Sequence, residues 1–198
     1  MSTRLHRFTD VEQACGPLIE AYADVRAPLL HLPNYAVSTV TERLERYGRT
    51  PGFEAVLAFD AKDRPVGYAY GNTVQAGDLW WSRIGDDLDA EYTRAPTLAL
   101  REIGVTLAFR GSGLARRIHD ELLAGCADRY ASLMVNPAAG EGKVRRVYES
   151  WGYKAIGPVQ PAPDSPVLTA MVRPLTSRTG PEIDQPKTAA GRRNTRSA

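Results

Sequence analysis

Apolar and acidic positions recur at roughly helical spacing from Val11 to Val25, behind Asp10, a residue type suited to capping a helix N-terminus. Pro28 and Pro33 interrupt the next stretch. A second helical pattern covers Val37 to Tyr47, and Gly48 supplies a stop. The period then changes. Glu54 to Phe59 reads as a buried strand, Asp60 to Arg64 as a turn, and Pro65 to Val74 as the antiparallel partner. Gly67 and Gly71 within that partner mark bends or close backbone approaches. Leu98 to Leu107 predicts another strand, followed by a glycine turn and a helix from about Ser112 to Ala127 with Leu114, Ile118 and Leu122 on one face. A short strand over Ala131 to Val135 comes next. A helix over Lys143 to Trp151 then carries Val144, Val147, Tyr148 and Trp151 as its apolar stripe, with Gly152 ending it. Tyr153 to Ile156 and Val167 to Val172 are the last predicted strands.

Two helices, three strands, and then helix, strand, helix and two strands do not alternate as a doubly wound fold does. The order predicts an α+β domain with a mixed central sheet flanked by helices. Ala76 to Pro96 fits no regular pattern. It holds Trp80 and Trp81, which argue against simple disorder, and the acidic set Asp86, Asp87, Asp89 and Glu91.

A chain of 198 residues, 43% hydrophobic and 24% charged, has enough apolar material for one core without disulfides or metal. The formal charge of +2 argues against a dedicated nucleic-acid binder. Residues 176–198 contain five basic and two acidic positions and few apolar ones, so the basic character belongs to a tail. The expected organisation is a domain over 1–175 and a flexible basic tail over 176–198. No apolar run reaches membrane-spanning length, and the first residues lack the apolar stretch of a secretory signal, which points to the cytoplasm. Cys15 and Cys126 are far apart and are expected to be buried free thiols. His6, His31 and His119 are isolated, and a lone helical histidine is most often at the surface, so no metal site is expected.

The chemistry concentrates where a strand enters the turn Arg110-Gly111-Ser112-Gly113 and opens a helix. Such a junction aims free backbone N–H groups and the positive helix end at one spot, which is an anion site. Gly111 and Gly113 permit close approach and positive φ, and Arg110 adds a charge. The dinucleotide fingerprint fails here, because Arg116 stands where its third glycine belongs. The Walker pattern fails at Gly142-Lys143, which is preceded by Pro137 in place of glycine and followed by Val144 in place of a hydroxyl.

Arg110-x-x-Gly113-x-Ala115, after the strand Leu100 to Val105, resembles the (R/Q)-x-x-G-x-(G/A) motif of the GCN5-related N-acetyltransferase (GNAT) superfamily. Val105 stands five residues before Arg110, as the family's pantetheine-binding residue does, and Val147 to Tyr153 is similar to the family's helix-to-strand segment. The resemblance covers roughly Phe53 to Pro174. There are three departures. Leu107 replaces a frequent proline, Ala115 a frequent glycine, and Glu141 a frequent asparagine whose contact is not carried over.

The resemblance implies a mostly antiparallel sheet in which one parallel strand pair splays to form a slot for acetyl-CoA. Backbone groups of Val105, Thr106 and Leu107 would meet the pantetheine arm, and Gly111, Ser112, Gly113, Leu114 and Ala115 the pyrophosphate. Arg116 would pair with a phosphate, or else be a solvated helix residue. It further implies Tyr148 as general acid to the leaving thiolate and Glu102 as base to a primary amine on a small molecule or peptide. The plain alternatives are that Tyr148 merely packs and that Glu102 is salt-bridged. Asp86, Asp87, Asp89 and Glu91 would draw in a cationic amine, or form a solvated loop. Neither cysteine lies where a nucleophile is needed, so the expected transfer is direct. The competing reading is a non-catalytic acyl-CoA-binding sensor or interaction module of the same fold. Homodimers are frequent among proteins resembling this one.

Overall fold

The computed structural model describes residues 2–84, 88–161 and 165–175. A short strand β1 (Arg4–Phe8) precedes the helices α1 (Val11–Val25) and α2 (Val37–Gly48). Strands β2 (Glu54–Phe59) and β3 (Pro65–Val74) form the expected hairpin. Two short helices, α3 (Leu79–Ser82) and α4 (Ala90–Arg94), lead into β4 (Thr97–Val105). The remaining elements are α5 (Leu114–Gly125), β5 (Tyr130–Val135), α6 (Lys143–Ser150), β6 (Lys154–Val159) and β7 (Leu168–Pro174).

The strands make one seven-stranded sheet, ordered β1-β2-β3-β4-β5-β7-β6. Every pair is antiparallel except β4–β5. The mixed, mostly antiparallel α+β architecture is therefore the one the chain adopts.

Helices cover both faces. On one, Ala14, Leu18, Ala21, Val40 and Leu44 of α1 and α2 pack on Ala55, Leu57, Tyr68 and Tyr70. On the other, the predicted stripe Leu114, Ile118 and Leu122 packs on Val56, Ala58, Ala69 and Leu98. Burying each large aliphatic side chain stabilises the fold by roughly 1.5–3 kcal/mol, so these stripes fix α5 against the sheet. Gly67 admits the helix, since a Cβ there would lie 2.8 Å from Ile118 Cδ1.

Several expectations change. β1 is not evident in the hydrophobic pattern, because it is a short edge strand with no fully buried residue. The strand expected over Leu98 to Leu107 stops at Val105, and Leu107–Phe109 forms a 3-10 turn. His119 is not at the surface but fully buried. The stripe of α6 is only half used. Tyr148 and Trp151 pack on the core, while Val144 and Val147 stay exposed. Cys15 and Cys126 are half-buried, not buried. In the irregular segment Asp78 and Asp89 cap α3 and α4, and Trp80 and Trp81 are buried. Asp86, Asp87 and the expected tail lie outside the described residues. Among the described residues no helix is long and apolar enough to cross a membrane.

Candidate functional site

The site begins with a gap in the sheet. β4 and β5 pair only where Thr97, Leu98 and Ala99 meet Tyr130, Ala131 and Ser132. From Leu100 to Val105, β4 has no partner on that side, so the two strands diverge into a slot closed at Ala99–Ser132. A bulge sits just beyond the closed end: Tyr70 pairs with Glu102 and Gly71 with Leu100, which leaves Arg101 unpaired. Gly71 makes this possible, because a Cβ would lie 2.6 Å from the Ala99 carbonyl oxygen. A bulge re-aims side chains locally, and here consecutive residues reach the same side of the sheet. Glu102 contacts Tyr68 and the α1 terminus, and Arg101 lies over Tyr47 of α2.

At the open end, the Thr106 N–H donates to Val66 O on β3 at 2.9 Å. Strand geometry alternates the direction of backbone groups, so those of Val105 face the slot. Thr106 itself is buried and turned toward β3, whereas Leu107 is exposed.

The glycine turn follows. Gly111 and Gly113 have φ of +75° and +80°, and no atom lies within 4 Å of a Cβ placed on either. Ser112 Oγ donates to Phe109 O at 2.6 Å and accepts from the Leu114 N–H at 3.3 Å, which sets the turn. The N–H groups of Gly111, Gly113, Ala115 and Arg116 have no backbone acceptor among the described residues. They surround the start of α5, where the helix dipole is positive. Arg110 is exposed and its side chain bonds to no described residue. The Arg116 side chain is committed elsewhere, 2.6 Å from Asp120 and over the Trp151 ring at 5.5 Å. The Arg116 guanidinium is thus ion-paired on its own helix, while its N–H remains at the turn.

The two candidate catalytic side chains come from different elements, Glu102 from β4 and Tyr148 from α6. Glu102 Oε1 accepts from Arg26 Nη2 at 3.1 Å, from Arg26 Nε at 3.2 Å and from the Tyr68 hydroxyl at 3.0 Å. Tyr148 projects from α6. Its ring meets Trp151 edge-on at 5.4 Å and Tyr153 at 5.9 Å. Its hydroxyl bonds to no described residue, and burial pushes the phenol up to about 12. Arg26 and Glu102 both act on it electrostatically, which brings the acid candidate to the same neighbourhood as the base candidate. The ring therefore packs, as the plain alternative has it, while the hydroxyl stays free. Cys126 is pushed up to about 11 by burial, which disfavours the thiolate.

Sequence reasoning missed Arg26, Tyr68 and Arg101. Arg26 closes α1 with no motif around it. Tyr68 and Tyr70 share a strand face at two-residue spacing, a signal available in the pattern but not specific. Of the acidic set, Glu91 bonds to the Tyr130 hydroxyl and Asp89 caps α4.

The backbone matches solved structures at the level of the fold. A protein described as an acetyltransferase of the GNAT family from Desulfovibrio desulfuricans superposes with a TM-score of 0.61 over 87% of this chain and 99% of that one, at 17% identity. The fold is that of the GNAT acetyltransferases. An acetyltransferase from Thermus thermophilus matches at a TM-score of 0.56 and 20% identity, over 88% of this chain and 98% of its own. A chain of the NatC complex, solved with Gag peptide and CoA, matches at 0.59 and 12% identity, over 89% of this chain and all of that one. No family model matches the sequence, and no curated protein does. Within the GNAT fold, the gap between β4 and β5 and the glycine turn stand at the two ends of one continuous stretch of chain.

Proposed function

We propose that the chain is an N-acetyltransferase that moves an acetyl group from acetyl-CoA directly to a primary amine of a small molecule or peptide. The observation that supports the reading is three sets of polar groups that bond to no described residue. They are the unpaired slot edge of β4, the uncommitted N–H groups at the glycine turn, and the free hydroxyl of Tyr148. The pantetheine arm would extend along Val105 as an added strand, and the pyrophosphate would accept from the turn beside Arg110. The open space at the Gly111 and Gly113 Cβ positions suits that close approach.

In this mechanism an ammonium acceptor gives one proton to Glu102, directly or through water. The freed amine nitrogen then adds to the thioester carbonyl. As the C–N bond forms and the C–S bond breaks, Tyr148 gives its proton to the leaving thiolate. The acylated nitrogen sheds its second proton, one proton returns to Tyr148, and one is released to solvent. Burial keeps the Tyr148 phenol protonated at neutral pH, as its role as the acid requires. The NatC complex, solved with a peptide and CoA, supports a peptide amine as one class of acceptor.

The test is calorimetric titration of acetyl-CoA into the wild type and into Arg110→Ala, followed by thiol release with an amine panel. Binding weakened by the substitution and release that depends on an amine support the reading. No binding by folded wild type ends it. Binding with no turnover of any amine leaves the acyl-CoA sensor.

A further inference from the structure

Arg101 is a half-buried charge beside the slot that forms no ion pair with any described carboxylate. The bulge turns it onto the same side of the sheet as Glu102. Its guanidinium lies between two aromatic rings, 4.3 Å from the centroid of Tyr47 and 4.7 Å from that of Trp80. Its Nε donates to Asn72 Oδ1 at 2.7 Å. Asn72, itself buried, gives its amide N–H to Thr73 O at 3.1 Å, which fixes the carbonyl toward Arg101. Trp80 is fixed too, by its indole N–H on Ser132 Oγ at 3.1 Å. Ser132 is the last β5 residue paired with β4, so this arrangement stands at the closed end of the slot.

The guanidinium has five N–H donors in a planar fork. One is used. The two terminal nitrogens bond to no described residue, yet they are not among the sealed polar atoms, so solvent reaches them. No described carboxylate forms an ion pair with Arg101. Asp78 is near enough to act on it but is occupied capping α3. Burial lowers the tendency of Arg101 to hold its charge. A side chain so held, with its fork open, matches the bidentate geometry of a carboxylate.

We propose that Arg101 binds the carboxylate of the acceptor, so that the preferred substrate is an amino acid, an amine and a carboxylate on one small molecule. The inference rests on the acetyltransferase reading above. Arg101 and Glu102 are neighbours in the chain and act on one buried phenol, Tyr70, which lies within the influence of both. A compact molecule can therefore set its carboxylate on the first and its amine toward the second.

Two measurements test this separately from turnover. In the first, amino acids and their decarboxylated amines are compared in pairs by kcat/KM with acetyl-CoA, in the wild type, Arg101→Lys and Arg101→Met. The wild type should prefer the amino acid about 10-fold or more, as expected for a charged hydrogen-bonded pair. The preference should shrink in Arg101→Lys and vanish in Arg101→Met. Equal rates in the wild type, a preference that survives Arg101→Met, or a preference for phosphate-bearing amines overturns the proposal. In the second, the Arg101 Nε–H resonance is followed by NMR during titration with an amino acid and with its decarboxylated amine, in the CoA-bound protein. A shift with the amino acid alone supports the proposal even where no acetyl transfer is found, in which case only the transferase reading fails. No shift overturns the proposal even where transfer to other amines is rapid.

Discussion

The hydroxyl of Tyr153 meets Nε2 of His119 at 3.0 Å in the core, while Nδ1 of the same ring lies 3.0 Å from Asp120 Oδ1. The network assigns the proton to Nδ1, which donates to Asp120, and leaves Nε2 to accept from Tyr153. The His119 ring also packs at a tilt on Trp151 with centroids 4.6 Å apart, and Trp151 and Tyr153 both bear on Tyr148. Helix α5, which starts at the glycine turn, is in this way coupled to the position of the candidate acid.

Burial pushes His119 down to about 4 from an ordinary 6.5. The unfolded chain takes up this proton near 6.5, and the native one only near 4. Stability from this group is thus complete above 6.5 and is lost as pH falls toward 4, at about 1.4 kcal/mol per unit at most. Thermal denaturation of the wild type should show this decline. His119→Gln should melt lower at pH 7 but decline less between pH 6.5 and 4.5. An unchanged decline would show that other groups control the acid sensitivity.

Tyr148→Phe should keep the ring packing and remove only the hydroxyl. Turnover should fall by about 10²–10⁴-fold, the usual worth of general acid catalysis, with acetyl-CoA affinity little changed. Because the phenol is raised to about 12, it stays protonated through pH 10, so the wild type should show no alkaline loss of rate from this group below that pH. Stopped-flow thiol release across pH measures both effects, and unchanged turnover in the variant would dismiss the acid role.

Gly113 and Gly77 have nearly the same backbone, with φ of +80° and +79°, and open space at the Cβ position. Alanine at either should cost about 1 kcal/mol, because L side chains disfavour the left-handed region. Only Gly113→Ala should also weaken acetyl-CoA binding. Parallel melts and calorimetric titrations of the two variants separate strain from ligand contact. Equal affinities would remove Gly113 from the pyrophosphate site.

Arg26→Ala should destabilise the protein by about 1.5–3 kcal/mol, the range for hydrogen bonds to charged groups, since it leaves Glu102 with Tyr68 alone. Combined with Glu102→Gln, the loss should be less than the sum of the single losses. Urea denaturation of the four proteins gives the coupling, and strict additivity would mean that the pair contributes nothing as a pair.

The sequence conveys the parts of this architecture that have strong local causes. The limits of α1, β2 and β3 follow from period and punctuation, and the glycine turn from residue types that only such a turn requires. What stays hidden depends on partners distant in the chain. Arg4–Phe8 becomes a strand because β2 offers it an edge. His119 looks like a surface residue until Tyr153 and Trp151 close over it. The bulge at Arg101 leaves no trace in the hydrophobic pattern, because it arises where Gly71 lets the Ala99 carbonyl approach. Glu102 and Tyr148 are legible as candidates, but Arg26 becomes visible only once α1 is docked.

The short β4–β5 pairing divides the molecule into two leaves. One leaf, β1 to β4 with α1, α2 and α5, holds the glycine turn, Arg101 and Glu102. The other, β5, β7 and β6, is joined to α6 and carries Tyr148. Three residue pairs and the apolar packing around them form the seam. Donor and acceptor of the proposed proton traffic therefore stand on opposite sides of that seam, held together by the one apolar core that crosses it. A pantetheine arm lying in the gap, as proposed, would supply the rungs that β4 and β5 lack and so tie the two sides of the seam together where the sheet does not.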